Sequence, residues 1–439
     1  MPELRRELGL RDLVLFNIAA VVGIRWLAAA AHTGPGSLSL WVLAAVFFFV
    51  PLALAVSRLS SRFPEEGGLY AWTRRSYGDW HGFLCGWCYW LSNLFWVPNL
   101  LVAGLAMAAY TLGPQYVWLS ESRWFVISGS LAVLWISALT NLVGLRVGKW
   151  TENVGALASY LAGLLLVVMG VAVWRLDGSA TQGGSVLPAW SWENVNFWSQ
   201  IALAFGGLEL GAVMGGEIRD PARTVRRAAW ISGAAIAGFY MLGTLAMLAL
   251  VAPERINVVT GLAQAGAAAS ERLGVASLGP LFAALVTLGI TGQLGAWIGG
   301  SARVPFAIGL DRHLPAAFAR LHPRWGTPHV AILTQAAACS VFLIAMQLGE
   351  SLRIGYQLLV DMTVVTYFIP FGYLFLTAMK EGLRASGAAA LAVTVVAIVV
   401  SLAPPAGVSS VWLFELKLIG GCALLIAAGR MCFRGGQRA

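Results

Sequence analysis

A chain of 439 residues with 59% hydrophobic and only 11% charged residues has too few polar side chains to cover a water-soluble globule of that size. Its mean hydropathy of +0.76 instead predicts a protein that crosses the bilayer many times. The formal net charge of +9 does not indicate a nucleic-acid partner, because the basic residues fall in short loops between apolar runs rather than in one patch.

Apolar runs of the length that crosses a bilayer, about 20 residues, predict about twelve membrane helices. The expected fold class is therefore an all-α polytopic membrane protein. In chain order the helices are expected at about residues 10–38, 40–59, 80–110, 124–143, 152–174, 197–218, 228–251, 279–308, 328–348, 354–379, 388–402 and 410–431. A shorter helix is expected at residues 262–273, in the loop after the seventh.

The loops on the two sides of the bilayer differ in positive charge. Lysine and arginine cluster in the loops on the side of the N-terminus. The opposite loops carry only Arg123, Arg175, Arg255, Arg272 and Arg353. Because positively charged loops stay in the cytoplasm, we expect a multi-pass protein of the cell membrane with both termini cytoplasmic. The first helix then runs outward and the sixth runs inward.

Two of the predicted helices are interrupted. The first is broken near Gly23, and the sixth contains two adjacent glycines and a glutamate within residues 205–211. Backbone freed from its hydrogen bonds at membrane depth is tolerated where it lines a protein-enclosed cavity, and matching breaks in two halves of a chain indicate a transporter's central site. The predicted substrate-binding residues are Val22, Gly23, Ile24 and Arg25 in the first break and Phe205, Gly206, Gly207, Leu208 and Glu209 in the second.

The opposed directions of the two broken helices indicate an inverted repeat, of helices one to five onto helices six to ten. The predicted organisation is a single transmembrane transporter domain over residues 1–439, with repeats at about 10–175 and 197–380. Two extra helices within about 388–431 lie outside the repeat, where packing or oligomer contacts are their expected role.

Freed backbone groups at the two breaks complement a zwitterion, because unpaired N–H groups are partially positive and unpaired carbonyls partially negative. An α-carboxylate can bind the N–H groups near residues 23–25, and an α-ammonium can bind the carbonyls around residues 205–207. This favours an amino acid or a similar small dipolar solute as the substrate. The alternative is structural: the glycines line a helix contact and Glu209 snorkels to the surface.

Charged side chains inside membrane helices are candidates for function. Arg25 and Glu209 occupy corresponding points of the two breaks and can pair if both line one cavity. Asp361 is a candidate gate partner for Arg25, and Trp26 and Phe205 are candidate aromatic gates. The alternatives are that Arg25 snorkels or forms a fixed ion pair, and that Asp361 faces the outer loops.

The five cysteines fall mostly within predicted helices, where cysteine behaves as a small hydrophobic residue, so we expect no disulfide framework. Cys85 and Cys88 have the spacing of half a zinc site without a second Cys/His pair nearby. No metal or cofactor is expected. An enzyme is not expected either, because the apolar segments contain no set of nucleophile, base and orienting group.

Three stretches of the sequence resemble those of a known family. They are the loop at residues 63–72 with its Glu-Glu-Gly-Gly sequence, the segment at residues 205–221 with its acidic-to-proline turn, and residues 301–318 with Leu-Pro-Ala-Ala-Phe. In these stretches, and over essentially its whole length, the chain resembles the amino acid–polyamine–organocation (APC) superfamily. The Glu-Glu-Gly-Gly and Leu-Pro-Ala-Ala-Phe motifs are most similar to those of the glutamate/γ-aminobutyrate antiporter branch. The resemblance implies a five-plus-five inverted repeat, alternating access, and amino acids or their amines as substrates.

Two positions depart from the pattern of that superfamily. Its first helix breaks at small residues ending in glycine, whereas here Gly23-Ile24 is followed by Arg25 and Trp26. Its proton-coupled members carry a lysine in the fifth helix where this chain has Ser159. The second departure favours exchange or uniport over lysine-mediated proton symport.

The leading interpretation is a secondary active transporter that moves amino acids by alternating access as an exchanger. The alternatives are a proton- or sodium-coupled symporter of amino acids or amines, with Thr287, Thr291 and Ser301 as candidate sodium ligands, and a transport-inactive amino acid sensor of the same fold. The expected partners are the small-molecule substrate and the lipid bilayer. The sequence does not indicate an oligomeric state.

Overall fold

The computed structural model describes residues 6–64, 67–187, 192–258, 260–346, 352–404, 408 and 410–433. Every regular element within those ranges is helical. The first half contains α1 (Leu10–Val21), α2 (Trp26–His32), α3 (Ser37–Arg62), α4 (Leu69–Tyr77), α5 (Asp79–Thr111), α6 (Arg123–Val143) and α7 (Leu145–Asp177). The second half contains α8 (Trp192–Leu203), α9 (Leu210–Val213), α10 (Pro221–Leu250), α11 (Gly261–Leu273), α12 (Leu278–Leu310), α13 (His329–Met346), α14 (Leu352–Lys380), α15 (Arg384–Ser401) and α16 (Val411–Cys432).

Nine helices in the described ranges are long and apolar enough to cross a membrane, and the bent pair α1 and α2 makes a tenth. The predicted sixth segment is helical in two short pieces, α8 and α9, and the predicted ninth is the shorter apolar helix α13. The expected all-α polytopic fold is therefore confirmed. The loop helix expected at residues 262–273 is present as α11, whereas α4 was not predicted.

The first break is a bend of 44° between α1 and α2. The indole of Trp26 folds back over Gly23, and a Cβ at that position would lie 2.7 Å from the Trp26 ring. Only glycine leaves room for this contact, because a separation below about 3 Å is a steric clash. The helix is therefore interrupted at Gly23, and the side chain of Trp26 covers the break.

The second break occupies residues 204–209, which form turns between α8 and α9. Gly207 has a φ of +113°, in the region that favours glycine. A Cβ there would also lie 3.2 Å from both Trp297 and Val21, so α12 and the end of α1 pack against the bare backbone. Gly207 thus provides both the turn and the close contact between the two broken helices.

The start of the chain is tied to the end of the second broken segment. The backbone N–H groups of Glu7 and Leu8 donate to the Glu217 carbonyl, and the Arg219 N–H donates to the Leu8 carbonyl. The Glu217 side chain is buried and forms a two-point ion pair with Arg303 of α12, at 2.8 Å and 3.2 Å. These contacts hold α1, α9 and α12 together on the N-terminal side.

Neighbouring loops on that side are joined by a second polar cluster. The Tyr70 hydroxyl of α4 donates to Asp311 at 2.6 Å, and Arg74 bridges Asp311 and Asp79. Burial, together with the hydrogen bond to Asp311, raises the pKa of Tyr70, so its hydroxyl stays protonated and donates. The cluster fastens α4 and the start of α5 to the loop after α12.

We expect Glu217→Gln to lower the apparent melting temperature of the protein in detergent. The change removes the carboxylate that pairs with the buried Arg303 guanidinium at two points, and breaking a buried ion pair by removing one partner costs about 3–5 kcal/mol. Asp220→Asn is the matched control, because Asp220 is exposed and lies 3.9 Å from Arg223. Equal melting temperatures for the two variants would contradict a stabilising role of the Glu217–Arg303 pair.

Candidate substrate site between the two helix breaks

The hydroxyl of Tyr240, on α10, joins the two breaks. It accepts a hydrogen bond from the Gly23 N–H at 3.1 Å, and it lies 2.7 Å from the Val21 carbonyl oxygen and 2.8 Å from that of Ala204. Its single proton can be donated to one carbonyl at a time. One fully buried side chain therefore binds backbone groups that both interrupted helices leave unpaired.

Side chains of α12 bind the freed end of α1. Gln293 Nε2 and Trp297 Nε1 both donate to the Ala20 carbonyl, at 3.0 Å and 2.9 Å. Within the described chain, the N–H groups of Ile24 and Arg25 make no hydrogen bond. The carbonyl end of α1 is thus satisfied by protein, while two N–H groups of the break are left available.

Glu209 is fully buried and hydrogen-bonded at both carboxylate oxygens. Its Oε1 accepts from the hydroxyls of Tyr89 on α5 and Tyr367 on α14, at 2.9 Å and 2.5 Å, and its Oε2 accepts from the Gly207 N–H at 3.0 Å. This carboxylate therefore links the second break to two neighbouring helices. The proposed surface-snorkelling role of Glu209 is wrong, because the side chain does not reach the surface.

A small buried cavity lies between the breaks, and every residue that lines it is buried. Its free volume of about 10 Å³ is close to the minimum that holds one water molecule. Of the residues predicted from the sequence, Trp26 and Gly206 line it. The lining residues that were not predicted from the sequence include Ser92, Asn93 and Trp96 of α5, Trp297 of α12, and Thr363 and Tyr367 of α14.

Two polar atoms on the cavity wall lack a partner within the described residues. Asn93 Nδ2 donates to the Tyr89 carbonyl at 2.8 Å, which leaves Asn93 Oδ1 as a free acceptor. Trp96 Nε1 is a free donor. Buried polar groups are normally paired, so a free acceptor and a free donor on one small cavity indicate a polar ligand.

The other predicted site residues contribute backbone or packing rather than cavity surface. Phe205 packs away from the cavity, against Trp41, Phe49 and Tyr240, with ring centroids 4.8–5.5 Å apart. Its predicted gating role gains no support from this geometry. The side chains of Val22, Ile24 and Leu208 belong to the hydrophobic core.

The charged pairs suggested by the sequence are not formed in this conformation. Arg25 binds Asn99 and Tyr356, and among the described residues no carboxylate lies within 4.0 Å of it. Arg25 is only 5% exposed, so the snorkelling alternative is wrong. Asp361 is fully buried and accepts from Gln357, so it does not face the outer loops. A gating role of Asp361 stays a prediction.

We expect Gly206→Ala to reduce transport about tenfold, the effect of roughly 1–3 kcal/mol of overpacking. A Cβ at this position would lie 2.5 Å from Tyr367 Cε1 and 2.9 Å from its hydroxyl, so the ring would move into the cavity or away from Glu209. Gly238→Ala on α10 is the matched control, because nothing lies within 4 Å of its Cβ. The measurement is uptake into proteoliposomes, and equal rates for the two variants would contradict the close packing inferred for Gly206.

Comparison with known proteins decides the family. The family model for amino acid permeases matches residues 8–402, which is nearly the whole described chain. The chain belongs to the amino acid permease family. The expected membership of the APC superfamily is thereby confirmed, and the protein is a multi-pass membrane transporter rather than an enzyme. The branch within the superfamily stays a prediction.

Individual relatives align over most of the chain. An uncharacterized transporter of Legionella pneumophila is 26% identical over 97% of this chain and 96% of its own length. An uncharacterized transporter of Mycobacterium tuberculosis is 31% identical over 76% of this chain and 73% of its own. The serine/threonine exchanger of Bacillus subtilis is 23% identical over 84% of this chain and 83% of its own.

Proposed function

We propose that this permease is a secondary active transporter that exchanges amino acids across the cell membrane by alternating access, with both termini in the cytoplasm. The observation that carries the proposal is the buried cavity between two helix breaks that Tyr240 joins. Matching breaks around a buried cavity are the arrangement that binds small zwitterions in transporters. The name of the serine/threonine exchanger of Bacillus subtilis supports amino acid exchange.

In the proposed binding mode, the two breaks hold the two charges of the amino acid. The free N–H groups of Ile24 and Arg25 bind the α-carboxylate. The α-ammonium donates to Asn93 Oδ1 and to the carbonyls of Phe205 and Gly206, which accept no hydrogen bond from the described part of the chain. Each group has the sign and the hydrogen-bonding role that the ligand requires.

In this proposal the small cavity must enlarge before it can hold an amino acid, and alternating access is the form that this conformational change takes. The space of about 10 Å³ is too small for an amino acid, so the breaks separate when substrate enters from one side and close before it leaves on the other. We propose residues 10–175 and 197–380 as the two repeats that move against each other. Helices α15 and α16 then lie outside the moving pair.

Two points favour exchange over ion-coupled symport. The resemblance to the APC superfamily places Ser159 at the fifth-helix position where proton-coupled members carry lysine. The candidate sodium ligands Thr287, Thr291 and Ser301 are not among the described residues that line the cavity, and Thr291 is exposed. Neither coupling ion therefore has an evident site on these residues.

Uptake of a labelled amino acid panel into proteoliposomes tests the proposal. We expect uptake only when the vesicles contain unlabelled amino acid, because an exchanger moves substrate in both directions. Uptake into empty vesicles that requires a proton or sodium gradient would replace exchange with symport. No uptake of any amino acid under either condition would contradict transport and favour the sensor alternative.

A further inference from the structure

Arg25 is held beside the cavity by aromatic rings and two polar partners. Its guanidinium carbon lies 4.6 Å and 4.3 Å from the ring centroids of Trp26 and Trp96. Those two rings stack on each other and line the cavity. Nη1 donates to Asn99 Oδ1 and to the Tyr356 hydroxyl. The cation is therefore fixed next to the wall of the proposed substrate site.

The orientation of the guanidinium is set by a link between two helices. Asn99 of α5 donates through Nδ2 to the backbone carbonyl of Tyr356 on α14, at 3.2 Å. Both partners of Nη1 are thus tied to each other, and the Nε–Nη2 edge of Arg25 is left with no acceptor among the described residues. A guanidinium held in this way presents two parallel N–H donors.

The positive charge of Arg25 also lacks a counterion within the part of the chain that the structure describes. No carboxylate there lies within 4.0 Å of its nitrogens, and Glu209 is bound by Tyr89 and Tyr367 instead. A buried charge carries a large desolvation cost unless an opposite charge compensates it. Contact with the faces of Trp26 and Trp96 recovers part of that cost. One bound anion would balance the charge of Arg25 and offset the rest of the desolvation cost.

We propose that Nε and Nη2 of Arg25 bind a second carboxylate of the transported amino acid, which makes the permease selective for acidic amino acids. This inference rests on the amino acid exchange proposed above, in which backbone groups of the breaks take the α-carboxylate and the α-ammonium. The Nε–Nη2 edge matches both oxygens of a carboxylate through two parallel hydrogen bonds. A neutral side chain would leave two buried donors and a charge unpaired, and this penalty produces the selectivity.

Exchange of labelled glutamate and of its neutral isostere glutamine tests the inference. Proteoliposomes carrying wild type, Arg25→Gln or Arg25→Lys are loaded with the matching unlabelled amino acid. We expect wild type to favour glutamate over glutamine in kcat/KM by at least about tenfold. Arg25→Gln brings the ratio close to one, and Arg25→Lys keeps part of the preference because the charge stays while the two-point contact is lost.

Gel filtration in detergent shows whether Arg25→Gln folds. If it does not, the wild-type ratio of kcat/KM for glutamate over glutamine still tests the acidic selectivity. Wild-type exchange of glutamine as fast as glutamate would overturn the acidic selectivity and leave amino acid exchange standing. A glutamate preference that persists in a folded Arg25→Gln variant would overturn the role of Arg25. Exchange of neither compound, nor of any other amino acid in the panel, would overturn both proposals.

Discussion

Tyr240→Phe is expected to reduce amino acid exchange by well over tenfold while leaving the fold intact. The hydroxyl is hydrogen-bonded to the Gly23 N–H and lies within hydrogen-bonding distance of the carbonyls of Val21 and Ala204. Each buried backbone group left unsatisfied costs about 1–3 kcal/mol, and about 1.4 kcal/mol corresponds to a tenfold change in rate. The breaks would then lose the bridge that keeps them in register around the cavity.

The ring of Tyr240 is retained in this variant, so its packing survives. It stacks on Trp41 with ring centroids 4.4 Å apart and meets Phe205 edge to face at 5.4 Å. Tyr160→Phe on α7 is the matched control, because the Tyr160 hydroxyl has no partner among the described residues. Exchange and gel-filtration profiles are measured for both variants. If Tyr240→Phe transported as well as Tyr160→Phe, the hydroxyl bridge would have no role in transport.

Glu209→Gln is the second substitution with a large expected effect, again a loss of exchange above tenfold. The carboxylate accepts from the hydroxyls of Tyr89 and Tyr367 and from the Gly207 N–H. A glutamine side chain replaces one accepting oxygen with a donating amide, so either the tyrosines or Gly207 must lose a partner. Hydrogen bonds to a charged group contribute about 1.5–3 kcal/mol each, and their loss would loosen the second break.

The control for Glu209→Gln removes a carboxylate in the same way at a place away from the breaks. Glu415 lies on α16, and its Oε2 has no hydrogen-bond partner within the described chain. Glu415→Gln is therefore expected to exchange amino acids at the wild-type rate. Exchange kinetics in proteoliposomes compare the two variants. Normal exchange by Glu209→Gln would show that the three hydrogen bonds of Glu209 do not support the working site.

Much of the fold was predictable because it depends on local properties of the sequence. The length of each apolar run determines whether a helix can cross the bilayer, and the runs predicted at about 80–110 and 228–251 are observed as α5 and α10. The two breaks were predictable for the same reason. Gly23 and the Gly206–Gly207 pair weaken their helices whatever surrounds them.

The partners of the breaks could not be read from the sequence, because they come from helices far along the chain. Tyr240 is 217 residues from Gly23, and nothing in α10 distinguishes its hydroxyl from that of a membrane-interface tyrosine. Ser92 and Asn93 gave a usable signal, since two adjacent polar residues interrupt the apolar sequence of α5. The two polar residues indicate that α5 has a functional or buried polar face, but they do not show which cavity that face lines. The direction of the Phe205 side chain could not be predicted either, because the rings it packs against are also far away in the sequence.

Alternating access requires the cavity to open to each side of the membrane in turn and to close around substrate. Thr363 lines the cavity, and Thr363→Cys can be introduced after Cys85, Cys88, Cys339, Cys422 and Cys432 are replaced by serine or alanine. The rate of modification by a membrane-impermeant thiol reagent is then measured from each side in oriented vesicles. We predict modification from both sides, slowed by the amino acid that the protein exchanges. Modification from one side only, or a rate that the exchanged amino acid does not change, would contradict alternating access at this site.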